Sequence, residues 1–155
     1  MRAIAIVPTY NEAGNLPRLV MDLRRLHPAA TLLIVDDGSP DGTGDLADKL
    51  AAEDPGVEVI HRPTKSGLGS AHVLGMDQAI EREFEILVTM DCDYTHQPQD
   101  VGLLVAGLRD RGGDLVIGSR YKHERGIADW PLWRRGVTRT AHFMTTYLLG
   151  IAFDA

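Results

Sequence analysis

Along most of the chain, short apolar runs bounded by turn residues alternate with stretches of helical periodicity. Residues 3–7 form an apolar run that stops at Pro8. Leu16, Leu19, Val20, Leu23 and Leu26 then mark one face of a helix, with Asn15 placed to cap it and Pro17 tolerated in its first turn. Residues 31–35 read as a second buried strand, and Leu46, Ala47, Leu50 and Ala51 as a second helix. A third strand at residues 57–61 and a helix over 70–80 follow. The pattern continues with a strand at 85–90, a helix over 99–109 and a strand at 114–118. The order βαβαβαβαβ predicts an α/β fold with a mostly parallel central sheet, helices on both faces and right-handed crossovers. No repeat, low-complexity tract or linker divides it, so residues 1–155 read as a single domain. Residues 130–153 read as an apolar helix or helix pair with no closing strand, as in a domain that is truncated or packs against something else.

Composition narrows the class. With 44% hydrophobic and 25% charged residues among 155, the chain is an ordinary globular protein, neither disordered nor fibrous. Its single cysteine excludes a disulfide framework and zinc sites built on cysteine clusters. No run of about 18 apolar residues is long enough to span a bilayer, and the first apolar run is too short for a signal peptide. A cytoplasmic enzyme is the expectation. The formal charge of −6 conceals a split: residues 1–108 carry 17 acidic and 8 basic side chains, residues 109–155 carry 5 and 8. Overall acidity argues against nucleic-acid binding. A basic end beside an acidic body suits a small anionic ligand, bridged by a metal.

In open parallel sheets, ligands bind beyond the carboxyl ends of the strands, and the unusual residues of this chain fall there. The first strand runs into Pro8-Thr9-Tyr10-Asn11-Glu12 and the second into Asp36-Asp37-Gly38-Ser39-Pro40-Asp41-Gly42. The third is followed by Lys65-Ser66-Gly67-Leu68-Gly69, the fourth by Asp91-Cys92-Asp93 and the fifth by Ser119-Arg120. Asp91 and Asp93, two apart, could hold a hard divalent cation against phosphate oxygens, or could be a solvated strand-to-loop turn. Asp36 and Asp37 could accept hydrogen bonds from a nucleobase or ribose, and the Gly-Ser-Pro-Asp-Gly that follows is also turn chemistry. Gly67-Leu68-Gly69 could bring backbone N–H groups to a phosphate, yet His72 stands where a dinucleotide fingerprint needs its third Gly or Ala, and no P-loop motif exists. Arg120, Arg134, Arg135 and Arg139 suit phosphate recognition or a solvated helix face. The six histidines show no metal-ligand spacing, and Cys92 reads as a small apolar strand residue. A phosphatase of the haloacid dehalogenase type would need its Asp-x-Asp on the first strand. A receiver domain would need its acceptor Asp on the third.

Taken together, Pro8-Thr9-Tyr10-Asn11-Glu12, Val35-Asp36-Asp37-Gly38-Ser39-Pro40-Asp41-Gly42-Thr43, Gly67-Leu68-Gly69-Ser70-Ala71, Met90-Asp91-Cys92-Asp93, Gly118-Ser119-Arg120-Tyr121 and Trp130-Pro131-Leu132-Trp133-Arg134-Arg135 resemble the inverting family-two glycosyltransferases of the GT-A, Rossmann-like fold, above all the polyprenol-phosphate (dolichol-phosphate) mannosyltransferases. The resemblance implies a nucleoside pocket lined by Pro8, Tyr10, Glu12, Val35 and Asp37, with Asp36, Lys65, Gly67 and Cys92 beside the donor. It implies Mg²⁺ or Mn²⁺ on Asp91 and Asp93, with Thr95 as an additional ligand, and Arg120 and Arg134 on phosphates. The reaction implied is transfer of mannose from GDP-mannose to a polyprenyl monophosphate at the cytoplasmic face of a membrane, touched peripherally through residues 130–153. The rivals are a UDP-sugar donor with a lipid-phosphate or polysaccharide acceptor, and a module that binds a nucleotide sugar without transfer. Cys92 departs from the family's usual alanine, and the chain ends before the family's further helices.

Overall fold

A computed structural model describes residues 2–118 and 131–148. The chain divides into two compact units, Met1–Asp114 and Leu115–Ala155. The first contains β1 (Ala3–Thr9), α1 (Leu16–Leu26), β2 (Thr31–Asp36), α2 (Thr43–Glu53), β3 (Val57–His61), α3 (Leu68–Glu81), β4 (Ile86–Thr89) and α4 (Asp100–Arg111). The second contains α5 (Leu132–Phe143), continued by a π-helical turn at Met144–Leu148.

The four strands form one all-parallel sheet in the order β3-β2-β1-β4. Its two faces follow from the alternation of side chains along each strand. Ala5 and Val7 of β1, with Leu32 and Ile34 of β2, pack against Leu16, Leu19, Val20 and Leu23 of α1, Ala47 of α2 and Val101 of α4. Ile4, Ile6, Leu33 and Val35 point the other way, toward Ala71 and Ala79 of α3. Helix α3 lies close to the sheet because its inner face is made of small residues: a Cβ on Gly75 would come within 2.6 Å of Ile6. Burying each large aliphatic side chain of this two-sided core stabilises the fold by about 1.5–3 kcal/mol.

Register explains how Pro8 sits in a central strand. The carbonyl of Thr9 accepts from Asp37 N–H toward β2, whereas that of Ile6 accepts from Met90 N–H toward β4. The even residues of β1 therefore face β4, whose last pair with β1 is Ile6–Thr89. The missing N–H of Pro8 falls just beyond that ladder, where no strand partner needs it.

Two expectations need correction. Asn15 does stand at the N-cap position of α1 but makes no side-chain cap bond; it donates instead to Glu12 Oε2 at 2.8 Å, and the Glu12 carbonyl receives the Asn15 and Leu16 N–H groups. The strand expected at residues 114–118 does not form. Leu115 and Ile117 are 75% and 78% exposed, and an apolar run without a ladder partner is not a strand. The fold class read from the alternation stands.

Candidate functional site

The chain builds β1, β2 and β3 outward in one direction and then places β4 on the other side of β1. That reversal is a topological switch point, the place where the loops beyond the carboxyl ends part to leave a crevice. The loops after β1, β2, β3 and β4 emerge here, and hydrogen bonds tie the first three into one unit.

The β1–α1 and β2–α2 loops are joined by three consecutive backbone amides. Asn11 N–H donates to Ser39 Oγ at 3.0 Å, Glu12 N–H to Thr43 Oγ1 at 2.9 Å and Ala13 N–H to Asp41 Oδ2 at 3.1 Å. Asn11 takes a left-handed conformation with φ of 61°, which turns these amides toward the neighbouring loop. Thr43 is fully buried, and its hydroxyl in turn donates a hydrogen bond to Asp41 Oδ1. That hydroxyl, with the backbone amides of Ala13 and Thr43, holds the Asp41 carboxyl below its ordinary value against a weaker opposing effect of burial. Asp-Gly-Ser-Pro-Asp-Gly-Thr is therefore both a turn and a brace that sets the shape of the Tyr10–Glu12 segment.

The two adjacent aspartates divide their work. Asp36 is buried, with Oδ1 accepting from Thr9 Oγ1 at 3.1 Å and Ser39 Oγ at 2.6 Å, and Oδ2 from Ser39 N–H at 3.1 Å. Its oxygens thus brace Ser39 of its own turn and Thr9 of β1, a structural role beside the ligand contact expected of it. Asp37, also buried, accepts Ser66 and Gly67 N–H on Oδ2, each at 3.1 Å. Its Oδ1 lies against the Arg62 guanidinium as an ion pair, not as a well-aligned hydrogen bond. The β3–α3 loop is thereby drawn onto Asp37. Gly67 makes this possible with a φ of 95°, a conformation that side-chain-bearing residues rarely adopt. Lys65 on the same loop places its ammonium 3.9 Å from the centre of the Tyr10 ring. Pro8 and Val35 lie buried at the ends of their strands.

Beyond β4, the alternation of the strand carries on in exposure. Met90 and Cys92 are buried, Asp91 is partly exposed and Asp93 exposed. Burial, together with the Glu12 and Asp93 charges, pushes the Cys92 thiol up to about 12. The Cys92 side chain belongs to the core, so the donor contact expected of it could come only from its backbone. Desolvation works to raise the Asp93 carboxyl. It is outweighed by the Thr95 hydroxyl and N–H, the latter at 2.9 Å, and by His96, so Asp93 stays below its ordinary value. Thr95 thus serves Asp93. His96 places Nδ1 3.2 Å from Asp91 N and 3.6 Å from Asp91 Oδ2. Tyr94, at a φ of 60°, turns away and donates to Asp22 Oδ2 at 3.0 Å, bracing this loop against α1.

Among the described residues no group of three or more His, Cys, Asp or Glu forms a metal cluster. Asp91 and Asp93 nevertheless suit a hard cation. They supply oxygen donors at an accessible edge, and Mg²⁺ is commonly held by one or two carboxylates completed by phosphate oxygens and water. Arg120 lies outside the described residues, and of Arg134 only its place on α5 is described. A cavity of about 390 Å³ lies at the other edge of the sheet, lined by Ala3, Leu26, His27, Val101, Ala106 and Arg109, and holds none of these carboxylates.

Sequence reasoning passed over Arg62, whose only signal was its place directly after β3. It read Ser39 and Asp41 as turn formers and met Thr43 only as part of the family motif, without their cross-loop partners. In the second unit, Leu132, Trp133, Val137, Phe143, Met144 and Tyr147 are exposed along α5 and its π-helical turn. Among the described residues no helix is long and apolar enough to cross a membrane.

Comparison with known proteins gives concordant results. The model of the family described as Glycosyl transferase family 2 matches residues 4–153. Polyprenol monophosphomannose synthase of Mycolicibacterium smegmatis is 46% identical over 152 residues, 97% of this chain and 57% of that protein. Undecaprenyl-phosphate mannosyltransferase of Micrococcus luteus is 44% identical over 151 residues, 97% of this chain and 61% of that protein. The chain thus spans less than two thirds of the length of these curated relatives. Among solved structures, the mannosyltransferase PcManGT of Pyrobaculum calidifontis, in complex with GDP-Man and Mn²⁺, aligns with a TM-score of 0.60 at 24% identity, covering 69% of this chain and 32% of that one. S. aureus TarS aligns with a TM-score of 0.61 at 22% identity, covering 79% and 40%. At such identities the two structures speak to the fold alone.

Proposed function

Because the chain belongs to glycosyl transferase family 2, we propose that it forms the donor-binding part of a polyprenyl-phosphate mannosyltransferase, which moves mannose from GDP-mannose to a polyprenyl monophosphate with inversion. The observation that carries this reading is the gathering of Tyr10, Glu12, Asp37 and the Asp91–Asp93 pair on the loops of one sheet edge, at the switch point. A nucleoside needs a ring face and hydrogen-bond acceptors, and its diphosphate needs cations; this edge offers the first two and two carboxylates to hold the third. The mannosyl and polyprenyl assignments are supported by the names of the two bacterial relatives. The two units are read as parts of one glycosyltransferase domain over residues 1–155.

In the proposed reaction, an oxygen of the acceptor phosphate bonds to the anomeric carbon as the bond from that carbon to the GDP β-phosphate oxygen breaks, and the electron pair leaves with GDP. The acceptor phosphate is already ionised near neutral pH, so its attack needs no general base. Asp91 and Asp93 would hold Mg²⁺ or Mn²⁺, which when bound stabilises the charge on the departing diphosphate as a Lewis acid. The hydrogen bonds from Thr95 keep Asp93 ionised and oriented for that duty. Arg120 and Arg134 are proposed as phosphate contacts. Helix α5 and its π-helical turn, with exposed Trp133, Phe143 and Tyr147 and several arginines in the helix sequence, have the composition of a segment that lies on a membrane surface, where a polyprenyl acceptor would be met.

A calorimetric titration of the chain with GDP-mannose and with UDP-glucose, each with and without Mn²⁺, tests the reading. Metal-dependent binding that favours GDP-mannose is the expected result. Preference for UDP-glucose would keep the donor site and overturn the mannosyl assignment. Absence of binding by a demonstrably folded chain would overturn the donor site itself.

A further inference from the structure

We infer that Arg62 is a positioning residue that sets base discrimination by fixing the Asp37 carboxylate and the β3–α3 loop as one rigid unit. The inference rests on the proposed nucleotide site and concerns a residue to which that reading gives no part.

Arg62 is an almost fully buried cation, its side chain 10% exposed, beside an Asp37 side chain that is 7% exposed. The guanidinium reaches three partners on two different segments. It pairs with Asp37 Oδ1, donates through Nη2 to the Gly67 carbonyl at 3.0 Å and through Nη1 to Ser70 Oγ at 2.6 Å. Its own N–H donates to the Asp36 carbonyl at 2.8 Å, which seats it at the end of the β2–β3 ladder. Only a planar fork of donors can hold a carboxylate, a carbonyl and a hydroxyl together in this way. Asp37 Oδ2 meanwhile takes two amides of the same loop, so the orientation of the carboxylate is determined from both oxygens.

The consequence lies at the donor. A carboxylate selects between bases only if its remaining acceptor direction is fixed, because selection is a difference between two hydrogen-bond geometries. With Arg62 removed, Asp37 becomes a buried charge without its cation, which is costly, and it relieves that cost by turning toward solvent. The loop that carries Lys65 to the Tyr10 ring loses its anchor at the same time. Affinity and base preference should then fall together in a chain that is still folded.

The test uses GDP and UDP as probes, titrated calorimetrically in the presence of Mn²⁺ at 15 °C, on the wild-type chain, Arg62→Gln and Arg62→Lys, with circular dichroism verifying the fold at that temperature. The expected result is a wild-type preference between the two nucleotides that shrinks at least ~tenfold in both variants, a change of about 1.4 kcal/mol in discrimination. Arg62→Lys keeps the charge but not the fork, so it carries the test if Arg62→Gln does not fold. A merely structural arginine would lower the melting temperature and leave the GDP-to-UDP ratio of the folded chain as it was; that result overturns the inference. A wild-type chain that binds neither nucleotide overturns the donor site and the role of Arg62 with it, whereas a discriminating wild type beside equally discriminating variants removes Arg62 alone.

Discussion

Replacing Thr43 by Val probes how the two loops of the site are held together. The two side chains are nearly the same shape, so packing around this fully buried position changes little. What disappears is a hydroxyl that accepts the Glu12 N–H at 2.9 Å and donates to Asp41 Oδ1. Asp41 is exposed and can turn to water, keeping its bond from the Thr43 N–H at 3.1 Å. Glu12 N–H, half-buried, loses the acceptor that this hydroxyl supplies. A partly buried amide left without a partner costs about 1–3 kcal/mol, which for a chain of this size lowers the melting temperature by roughly 2–4 °C per kcal/mol. Thr43→Ser is the control, since it keeps the hydroxyl and loses one buried methyl, about 0.8 kcal/mol before any cavity term. Urea unfolding followed by circular dichroism gives both stabilities. Titration with GDP and Mn²⁺ reads the site, where Val should weaken binding and Ser should not, because only Val frees the Tyr10–Glu12 segment. A Thr43→Val chain as stable as the wild type, or a Ser variant that binds GDP worse than the Val variant, would refute the reasoning.

Other changes should read out elsewhere. If Asp93 holds the proposed metal, Asp93→Asn should abolish the Mn²⁺ dependence of GDP-mannose binding by this chain while leaving the fold intact, since Asp93 is exposed; an unchanged Mn²⁺ dependence would remove it from the metal site. Asp54 is held below its ordinary value mainly by its hydrogen bond from Arg24, at 2.8 Å from Nε, helped by the Gly56 N–H. Its unfolded form binds a proton more readily, so its contribution is complete above the ordinary carboxylate range near pH 4 and is lost as the pH falls through the lowered value. Urea midpoints measured from pH 6 down to pH 3 should therefore fall less steeply for Asp54→Asn than for the wild type, and parallel curves would contradict the assignment. Cys92, 2% exposed with its thiol pushed up to about 12, should resist a thiol reagent at pH 8 in the folded chain and react with one equivalent in urea. Rapid reaction without denaturant would place that side chain outside the core.

Much of the architecture was legible because it depends on local periodicity. The alternation in β1 and β2 sends Ile4, Ile6, Leu33 and Val35 to one face and Ala5, Val7, Leu32 and Ile34 to the other. The spacing of Leu16, Leu19, Val20 and Leu23 makes one helix face, and these are the residues of α1 that are buried. Periodicity misled at residues 114–118, where the apolar run has the composition of a strand without a partner. Asn15 does hold the N-cap position of α1, but its amide donates to the Glu12 side chain and makes no cap bond.

By itself, the sequence determined the α/β class, the parallel order of elements and the placing of polar clusters at the carboxyl ends of strands. All of these follow from patterns that repeat within a few residues. Only the tertiary structure decided what each polar residue does. Asp36 and Asp37 are neighbours of the same type, yet Asp36 binds Ser39 of its own turn and Thr9 of β1, whereas Asp37 anchors a loop some 30 residues on. Thr43 stood only within a family motif and Arg62 at a strand terminus, yet Thr43 holds Glu12 and Arg62 holds Asp37, segments distant in sequence. The physical reason is that a hydrogen-bonding side chain in a crowded turn has several acceptable partners of similar energy. Which one it takes is settled by which backbone groups the packed sheet brings within about 3 Å, and that proximity is a property of the fold rather than of the local sequence.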